Sequence, residues 1–176
     1  MRPWLLIMCG FPFSGKSTLA GEMAERGDMK LVSVDDLHER HGLNIESDTV
    51  HTHDWVMAYR SGYQDTERHL ADGHSVVFDS VGFRRKDRDR LRRTAERFDA
   101  DALVVWLDLP ANLARLRLEG NRIKPIRPNV PIANFEQIVR EFEPPEADET
   151  WVAYEPNEAI EQWVERVLRP ALERQD

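Results

Sequence analysis

The residues best suited to chemistry form one short stretch near the start of the chain. Gly10-Phe11-Pro12-Phe13-Ser14-Gly15-Lys16-Ser17 fits the spacing G-x-x-x-x-G-K-[ST]. The glycines allow backbone angles that turn amide N–H groups inward, where they can surround a phosphate. Lys16 offers a full positive charge to the β- and γ-phosphates, and Ser17 offers a hydroxyl to Mg²⁺. The motif therefore predicts a site for a nucleoside triphosphate and Mg²⁺.

The sequence around this loop has the expected setting, with an apolar run before it and a helical pattern after it. The motif alone does not fix the reaction, because kinases, GTPases and motors share it. A chain of 176 residues leaves little room for the extra domains of a motor, and it lacks the guanine-reading pattern Asn-Lys-x-Asp. A small ATP-dependent kinase is the class that remains. The loop residues expected to hold ATP are Gly10, Phe13, Ser14, Gly15, Lys16, Ser17 and Thr18.

Two carboxylates follow predicted strands and are expected beside the loop, because the carboxyl ends of parallel strands line the ligand crevice. Asp35 could orient an acceptor hydroxyl and take its proton, or it could begin a helix as a cap. We favour the role of base for Asp35 and the cap for Asp36. Asp79 could hold the Mg²⁺ shell or contact the acceptor, or it could be a cap; we favour a functional role. Arg40 could bind an acceptor phosphate or be a solvated helix residue.

Apolar runs of strand length alternate with helical patterns along the whole chain. This alternation predicts an α/β, three-layer fold with a parallel five-stranded sheet and helices on both faces. The organisation expected is one domain over residues 1–176, with an acidic helical segment at 157–172. The predicted strands are 5–9, 31–34, 75–79, 102–107 and 151–154, and the predicted helices are 16–26, 51–71, 85–98, 111–119, 134–142 and 157–172.

These motifs, in this order, resemble the polynucleotide-kinase and zeta-toxin-like group of P-loop kinases over roughly residues 4–145. The residues that carry the resemblance are Gly10–Ser17, Val34-Asp35-Asp36, His74–Ser80, Arg88 and Arg92. Phe13 departs from the group, which usually has glycine at that position. Residues 117–145, with Asn121-Arg122 and a proline-rich loop, also look like the lid and following helix of gluconate kinases. The two likenesses imply one architecture and different acceptors.

The resemblance also implies an arginine-bearing lid, at about residues 115–133. A helix over 111–119 is expected to end at Gly120, and the loop after it holds three prolines. A lid arginine can cancel charge that develops on the transferring phosphate, while closure excludes water. By this resemblance Arg122, with Arg117, occupies the lid positions. Arg115 is expected on a solvated helix face.

The formal net charge of −8 is unevenly distributed. Residues 135–176 carry all of it, and residues 1–134 are neutral. Residues 84–97 hold seven Arg and one Lys against three acids, which could form a nucleic-acid track or a salt-bridged, solvated helix face. We favour the second interpretation. Trp55, Tyr59 and Tyr63 recur at helical spacing, and we expect core packing from them rather than a wall for the acceptor.

The sequence thus predicts an enzyme that moves the γ-phosphate of ATP to a hydroxyl of a small-molecule or nucleotide-like acceptor. A 5′-hydroxyl polynucleotide kinase and a non-catalytic nucleotide sensor are the alternatives. No apolar run is long enough for a membrane span, and a single cysteine excludes an internal disulfide, so the cytoplasm is the expected location. The sequence leaves the oligomeric state open.

Overall fold

A five-stranded parallel sheet forms the centre of the computed structural model, which describes residues 2–40, 52–127 and 130–173. The strands lie in the order β2-β3-β1-β4-β5, so the predicted fold class is confirmed. This order places β1 between β3 and β4, and the loop after β1 therefore lies beside the carboxyl end of β3. The strands are β1 (Trp4–Cys9), β2 (Lys30–Ser33), β3 (Val76–Asp79), β4 (Asp101–Leu107) and β5 (Trp151–Tyr154).

Helices cover both faces of this sheet because β1 directs alternate, fully buried side chains to opposite sides. Leu6 and Met8 pack against α1 and the C-terminal helices, and Leu5 and Ile7 pack against α3 and α4. The helices are α1 (Lys16–Arg26), α2 (Val34–Arg40), α3 (Thr52–Ala71), α4 (Arg85–Arg97), α5 (Ala111–Ile123), α6 (Ile132–Arg140), α7 (Ile160–Trp163), which continues through a π-helical turn (Val164–Leu168), and α8 (Arg169–Glu173).

Several predicted boundaries differ from the structure by one to four residues, and two of these differences bear on the site. β2 ends at Ser33 rather than at residue 34, because the Ser33 hydroxyl accepts a hydrogen bond from the N–H of Asp36 at 3.1 Å and so begins α2. α5 does not stop at Gly120 but continues to Ile123. Gly120 lies in the helix with open space around it, and its backbone has no left-handed turn there. As a result Arg122 belongs to the last turn of a helix and not to the loop.

A third, smaller apolar cluster joins the loop after β1 to α5 and α6. Its buried members are Phe13, Leu109, Ala114, Leu118 and Phe135. The proline-rich loop between α5 and α6 follows this cluster, and residues 128 and 129 of it lie outside the described residues. The predicted first helical residue, His51, lies outside them as well. Among the helices of the described ranges, none is long and apolar enough to cross a membrane.

Gly82, just after β3, is packed against the backbone of β1. Its φ is +56°, and a Cβ at this position would stand 2.2 Å from the carbonyl oxygen of Met8. We expect Gly82→Ala to lower the free energy of unfolding by about 2–4 kcal/mol, combining left-handed strain with overpacking against rigid backbone. Urea denaturation of the variant and the parent protein measures this loss.

Gly73 provides the matched control for that experiment. Its φ of +79° is also left-handed, but among the described residues other than its two chain neighbours no heavy atom lies within 4 Å of the point where a Cβ would stand. Gly73→Ala should therefore show the strain alone, about 1 kcal/mol. Equal losses in the two variants would contradict the close approach of Gly82 to β1.

Candidate nucleotide and acceptor site

The loop between β1 and α1 is shaped to surround an anion. Gly15 holds a φ of +106° immediately before the first turn of α1, so the amides that follow it belong to a helix N-terminus. The Ser14 side chain is fully buried, and its hydroxyl has no hydrogen-bond partner in the described part of the chain. That hydroxyl lies 3.3 Å from the point where a Gly10 Cβ would stand, inside the loop. A phosphate oxygen is the kind of partner it lacks.

Lys16, the first residue of α1, extends back over the loop. Its ammonium donates a 2.8 Å hydrogen bond to the carbonyl oxygen of Phe11, and the side chain is buried. Burial lowers the pKa of Lys16, and the neighbouring carboxylates of Asp79 and Asp35 act in the opposite direction. Both predicted acceptor-side carboxylates are thus brought within electrostatic reach of the loop lysine.

Asp79, at the end of β3, is buried beside the start of α1. Burial raises the pKa of its carboxyl, while the Lys16 charge and a hydrogen bond with the Ser17 side chain lower it. A hydroxyl next to a carboxylate is an oxygen pair of the kind that can hold Mg²⁺ directly or through water. These two residues therefore fit the predicted metal position. Thr18, the next residue of α1, is exposed.

Asp35 lies in the first turn of α2 with an exposed side chain. Ser33, and neither Asp35 nor Asp36, supplies the side-chain cap of this helix. The charge of Asp35 acts on the ammonium of Lys16, on the carboxyl of Asp79 and on the hydroxyl of Tyr59. Arg40 is exposed at the other end of α2.

The aromatic residues of α3 all pack against the core, and one of them also reaches the end of β3. Tyr63 stacks on Phe78 with a centroid distance of 5.6 Å, and Trp55 stacks on His38 at 4.3 Å, as expected for packing. Tyr59 differs, because its hydroxyl reaches the side chain of Ser80 just after β3. Burial raises the pKa of Tyr59, and the carboxylates of Asp87 and Asp35 also raise it.

Tyr59, Ser80 and Asp87 interact with one another, and the sequence pattern did not predict this group. Of the three, only Tyr59 was considered, as one of three aromatic residues at helical spacing that could pack in the core or line an acceptor. Asp87 is half-buried in the first turn of α4, and burial raises the pKa of its carboxyl despite the basic residues around it. The sequence could not predict that Asp87 lies near Tyr59, because this depends on α3 and α4 packing on the same face of the sheet.

The lid arginines have different surroundings. Arg117 donates to the carbonyl oxygens of Phe13 and Ser14, at 3.3 and 3.1 Å, and so braces the loop from outside. Arg115 pairs with Glu136 of α6 at 2.8 Å, as expected for a helix surface. Arg122 is exposed in the last turn of α5.

Arg127, which follows α5 and is exposed, lies against Phe13 of the loop. Its Cζ lies 4.7 Å from the centroid of the Phe13 ring, and its charge acts on both Lys16 and Asp79. Phe13 itself has a φ of +63°, a left-handed conformation that costs a non-glycine residue about 1–2 kcal/mol. The glycine usual in similar loops avoids this cost.

The basic helix α4 is joined to residues 141–149, which confirms the predicted salt bridges, although Arg88 is buried and not solvated. Arg88 is fully buried and makes a two-point contact with the carboxylate of Glu149, at 2.8 and 2.7 Å. Arg85 reaches Glu146 and Asp148 at 2.7 and 2.5 Å. Further ion pairs link Arg84 to Glu141, Arg92 to Asp89 and Arg97 to Glu67.

Comparison with known proteins agrees with this fold. A family model described as an AAA domain matches residues 5–145. No curated protein matches the sequence. A solved structure from Chloroflexus aurantiacus J-10-fl, provisionally described as a kinase, is similar with a TM-score of 0.76 and 20% identity, over 97% of this chain and 98% of that one.

Two further structures show the same likeness. A gluconokinase from Sinorhizobium meliloti 1021 has a TM-score of 0.65 and 19% identity, over 98% of this chain and 94% of that one. Kti12 from Chaetomium thermophilum, in complex with ADP-AlF3, has a TM-score of 0.70 and 20% identity, over 95% of this chain and 98% of that one. At these identities the likeness establishes a shared fold.

Proposed function

The chain belongs to the AAA domain family, and from that premise and the site geometry we propose an ATP-dependent kinase that phosphorylates a hydroxyl group. The observation that carries the proposal is the convergence of Lys16, Asp79 and Asp35 at one edge of the sheet. A triphosphate-binding lysine, a buried carboxylate beside a hydroxyl and an exposed carboxylate are the groups that phosphoryl transfer to an alcohol requires.

The nucleotide half of the reaction is assigned to the loop and the lid. The loop amides, Lys16 and the buried Ser14 hydroxyl hold the phosphates, and Thr18 lies beside them. Ser17 and Asp79 hold Mg²⁺, whose role is to neutralise charge on the β- and γ-phosphates. Lid arginines close over the γ-phosphate, where they stabilise charge that develops as the bond to the leaving oxygen lengthens. Arg117 and Arg122 keep their predicted roles, and Arg127 joins them.

The acceptor half is assigned to the ends of β2 and β3 and to α3. Asp35 orients the attacking hydroxyl and accepts its proton, so that the oxygen attacks the γ-phosphorus in line with the leaving ADP. Tyr59 and Ser80 provide hydroxyls that can hold a polar acceptor against this carboxylate. Arg40 remains a hypothesis for a distant anionic group of the acceptor. We propose a small-molecule or nucleotide-like acceptor.

A 5′-hydroxyl polynucleotide end is the second candidate acceptor, suggested by the polynucleotide-kinase resemblance. The feature that would favour it is the basic helix α4. However, Arg84 just before that helix and Arg85 and Arg88 within it are paired with carboxylates of residues 141–149. Cations paired within the chain release fewer counterions on meeting a phosphate backbone, which weakens nucleic-acid binding. The internal pairing therefore supports the small acceptor.

A nucleotide sensor that transfers no phosphate is the remaining alternative. The likeness to Kti12 keeps it open, because a shared fold does not fix a function. We also propose that the whole chain acts as one domain, with the lid at about residues 115–133 and a cytoplasmic location. The predicted acidic segment at residues 157–172 lies among the helices α7 and α8.

A transfer screen tests the proposed function. The protein is incubated with Mg²⁺ and γ-labelled ATP against sugars, nucleosides, amino alcohols and 5′-hydroxyl oligonucleotides, each at low and high salt. We expect label to move to a small acceptor at a rate that changes little with salt. Transfer to an oligonucleotide with a steep salt dependence would instead establish the polynucleotide alternative. Binding of ATP without transfer to any member would favour the sensor.

A further inference from the structure

The conformation of Phe13 calls for a compensating interaction. A left-handed backbone at φ +63° is sterically unfavourable for phenylalanine, and such strain persists only where the surroundings fix the residue. The carbonyl oxygen of Phe13 is held by Arg117 at 3.3 Å. Glycine would adopt this backbone conformation without steric strain. The advantage of phenylalanine must therefore lie in its side chain.

The ring of Phe13 is wedged between the loop and the lid. It is 6% exposed and belongs to the apolar cluster of Leu109, Ala114, Leu118 and Phe135. The guanidinium of Arg127 lies at 4.7 Å from the ring centroid, within the range of a cation–π contact. The aromatic ring therefore packs against α5 and α6 and also contacts the guanidinium of Arg127.

Asn121 holds the same arginine from the other side. Its buried amide oxygen accepts hydrogen bonds from the N–H groups of Ile126 and Arg127, at 3.1 and 3.3 Å. Its amide nitrogen donates to the carbonyl oxygen of Arg127 at 2.9 Å. The backbone of Arg127 is thus fixed by Asn121, while its guanidinium is attracted to the ring of Phe13.

We infer that Phe13 and Asn121 are positioning residues that hold Arg127 over the phosphate loop before ATP binds, so that it meets the γ-phosphate. The inference rests on the proposed function, because it concerns the same nucleotide site. An arginine side chain that is already ordered loses less conformational freedom when ATP binds than one that moves freely in solvent. A glycine at position 13 would leave Arg127 without this contact, whereas the ring of Phe13 gives its guanidinium a fixed support.

The test compares the affinities of AMPPNP and ADP, which differ by the outer phosphate group. Phe13→Leu keeps the apolar contacts and the backbone strain but removes the aromatic face. We expect it to weaken AMPPNP binding by about 3- to 10-fold and ADP binding by less than about twofold, as measured by calorimetry with Mg²⁺. Phe13→Tyr keeps the aromatic face and should bind AMPPNP nearly as the parent protein does.

A double-mutant cycle separates positioning from packing. In an Arg127→Ala background, Phe13→Leu should cause no further loss of AMPPNP affinity, because the cation it supports is gone. Asn121→Ala tests the same support from the lid side and should also weaken AMPPNP selectively. Lys124→Ala removes another exposed cation of the lid and should leave the preference for AMPPNP unchanged. Thermal melting verifies that each variant is folded.

Two results would overturn the inference. Equal losses for AMPPNP and ADP would place Arg127 away from the outer phosphate, and additive losses in the cycle would show that Phe13 acts only through packing. If Phe13→Leu does not fold, Asn121→Ala decides between these outcomes by the same comparison of nucleotides. None of these measurements needs an acceptor. A protein that binds AMPPNP but transfers no phosphate would therefore refute the kinase proposal while leaving this inference standing.

Discussion

Asp35→Asn is expected to lower the rate of phosphate transfer by about 10²- to 10⁴-fold while leaving AMPPNP binding intact. The amide keeps the size and the polar contacts of the side chain but cannot accept the proton of the attacking hydroxyl. Removing a negative charge near the phosphates should, if anything, tighten nucleotide binding slightly. Single-turnover transfer to the acceptor found by the screen, together with calorimetry of AMPPNP, measures both quantities.

Asp36→Asn is the matched control, because Asp36 is the adjacent, equally exposed carboxylate of α2. Its side chain is not the cap of the helix, since the Ser33 hydroxyl already accepts the N–H of Asp36. This variant should transfer phosphate nearly as fast as the parent protein. Lys16→Ala serves as the inactive reference, because it should lose both phosphate transfer and tight triphosphate binding. Equal rates for Asp35→Asn and the parent protein would rule out the role of base.

Glu149→Gln is expected to lower the free energy of unfolding by about 3–5 kcal/mol, because it leaves the guanidinium of Arg88 buried without its counterion. Arg88 also donates to the carbonyl oxygens of Gly82 and Glu143, at 3.0 and 2.8 Å, and these neutral partners cannot replace the carboxylate. Thermal and urea unfolding should both detect the loss. Arg85→Ala, which removes a partly exposed cation paired with Glu146 and Asp148, should change stability far less.

The effect of Glu149→Gln should depend on pH. Burial alone would raise the pKa of Glu149, but its hydrogen bonds with Arg88 and its attraction to that charge bring the pKa below the usual value. A carboxylate with a lowered folded-state pKa stabilises the fold above the unfolded value of about 4.3, and this stabilisation is lost as the pH falls through the folded value. The stability gap between parent and variant should therefore be full near pH 7 and narrow below about pH 4.3. A gap independent of pH would contradict a charged Glu149.

The sequence was most informative where one local pattern determines both structure and chemistry. The run before Gly10 and the motif up to Ser17 predicted β1, the loop and the start of α1, because a buried parallel strand is continuously apolar and the loop has fixed spacing. Asp79 followed from the next clear strand by the same reasoning. These predictions depend on neighbours in the chain alone.

The sequence was least informative where partners are distant in the chain. Arg88 and Glu149 are 61 positions apart, and the seven arginines of residues 84–97 gave no indication of which carboxylate each would meet. Gly120 was a misleading stop signal, because a glycine weakens a helix by only about 1 kcal/mol and the surrounding contacts outweigh that cost. The sequence assigned no specific role to Arg127, because the residues that support it are identified only in the folded chain. Asn121 holds its backbone, and Phe13 contacts its guanidinium.

The contact between Arg88 and Glu149 also bears on folding during synthesis. Residues 2–127 include β1 to β4 and the phosphate loop, but Arg88 has no buried carboxylate until residue 149 has left the ribosome. A nascent chain that lacks this carboxylate cannot bury the guanidinium without a large penalty. The nucleotide-binding half should therefore stay open on the ribosome and become protease-resistant only after residue 149 emerges. Arrested chains cut before and after residue 149, each extended by a linker long enough to fill the exit tunnel, would show this as a step in protection.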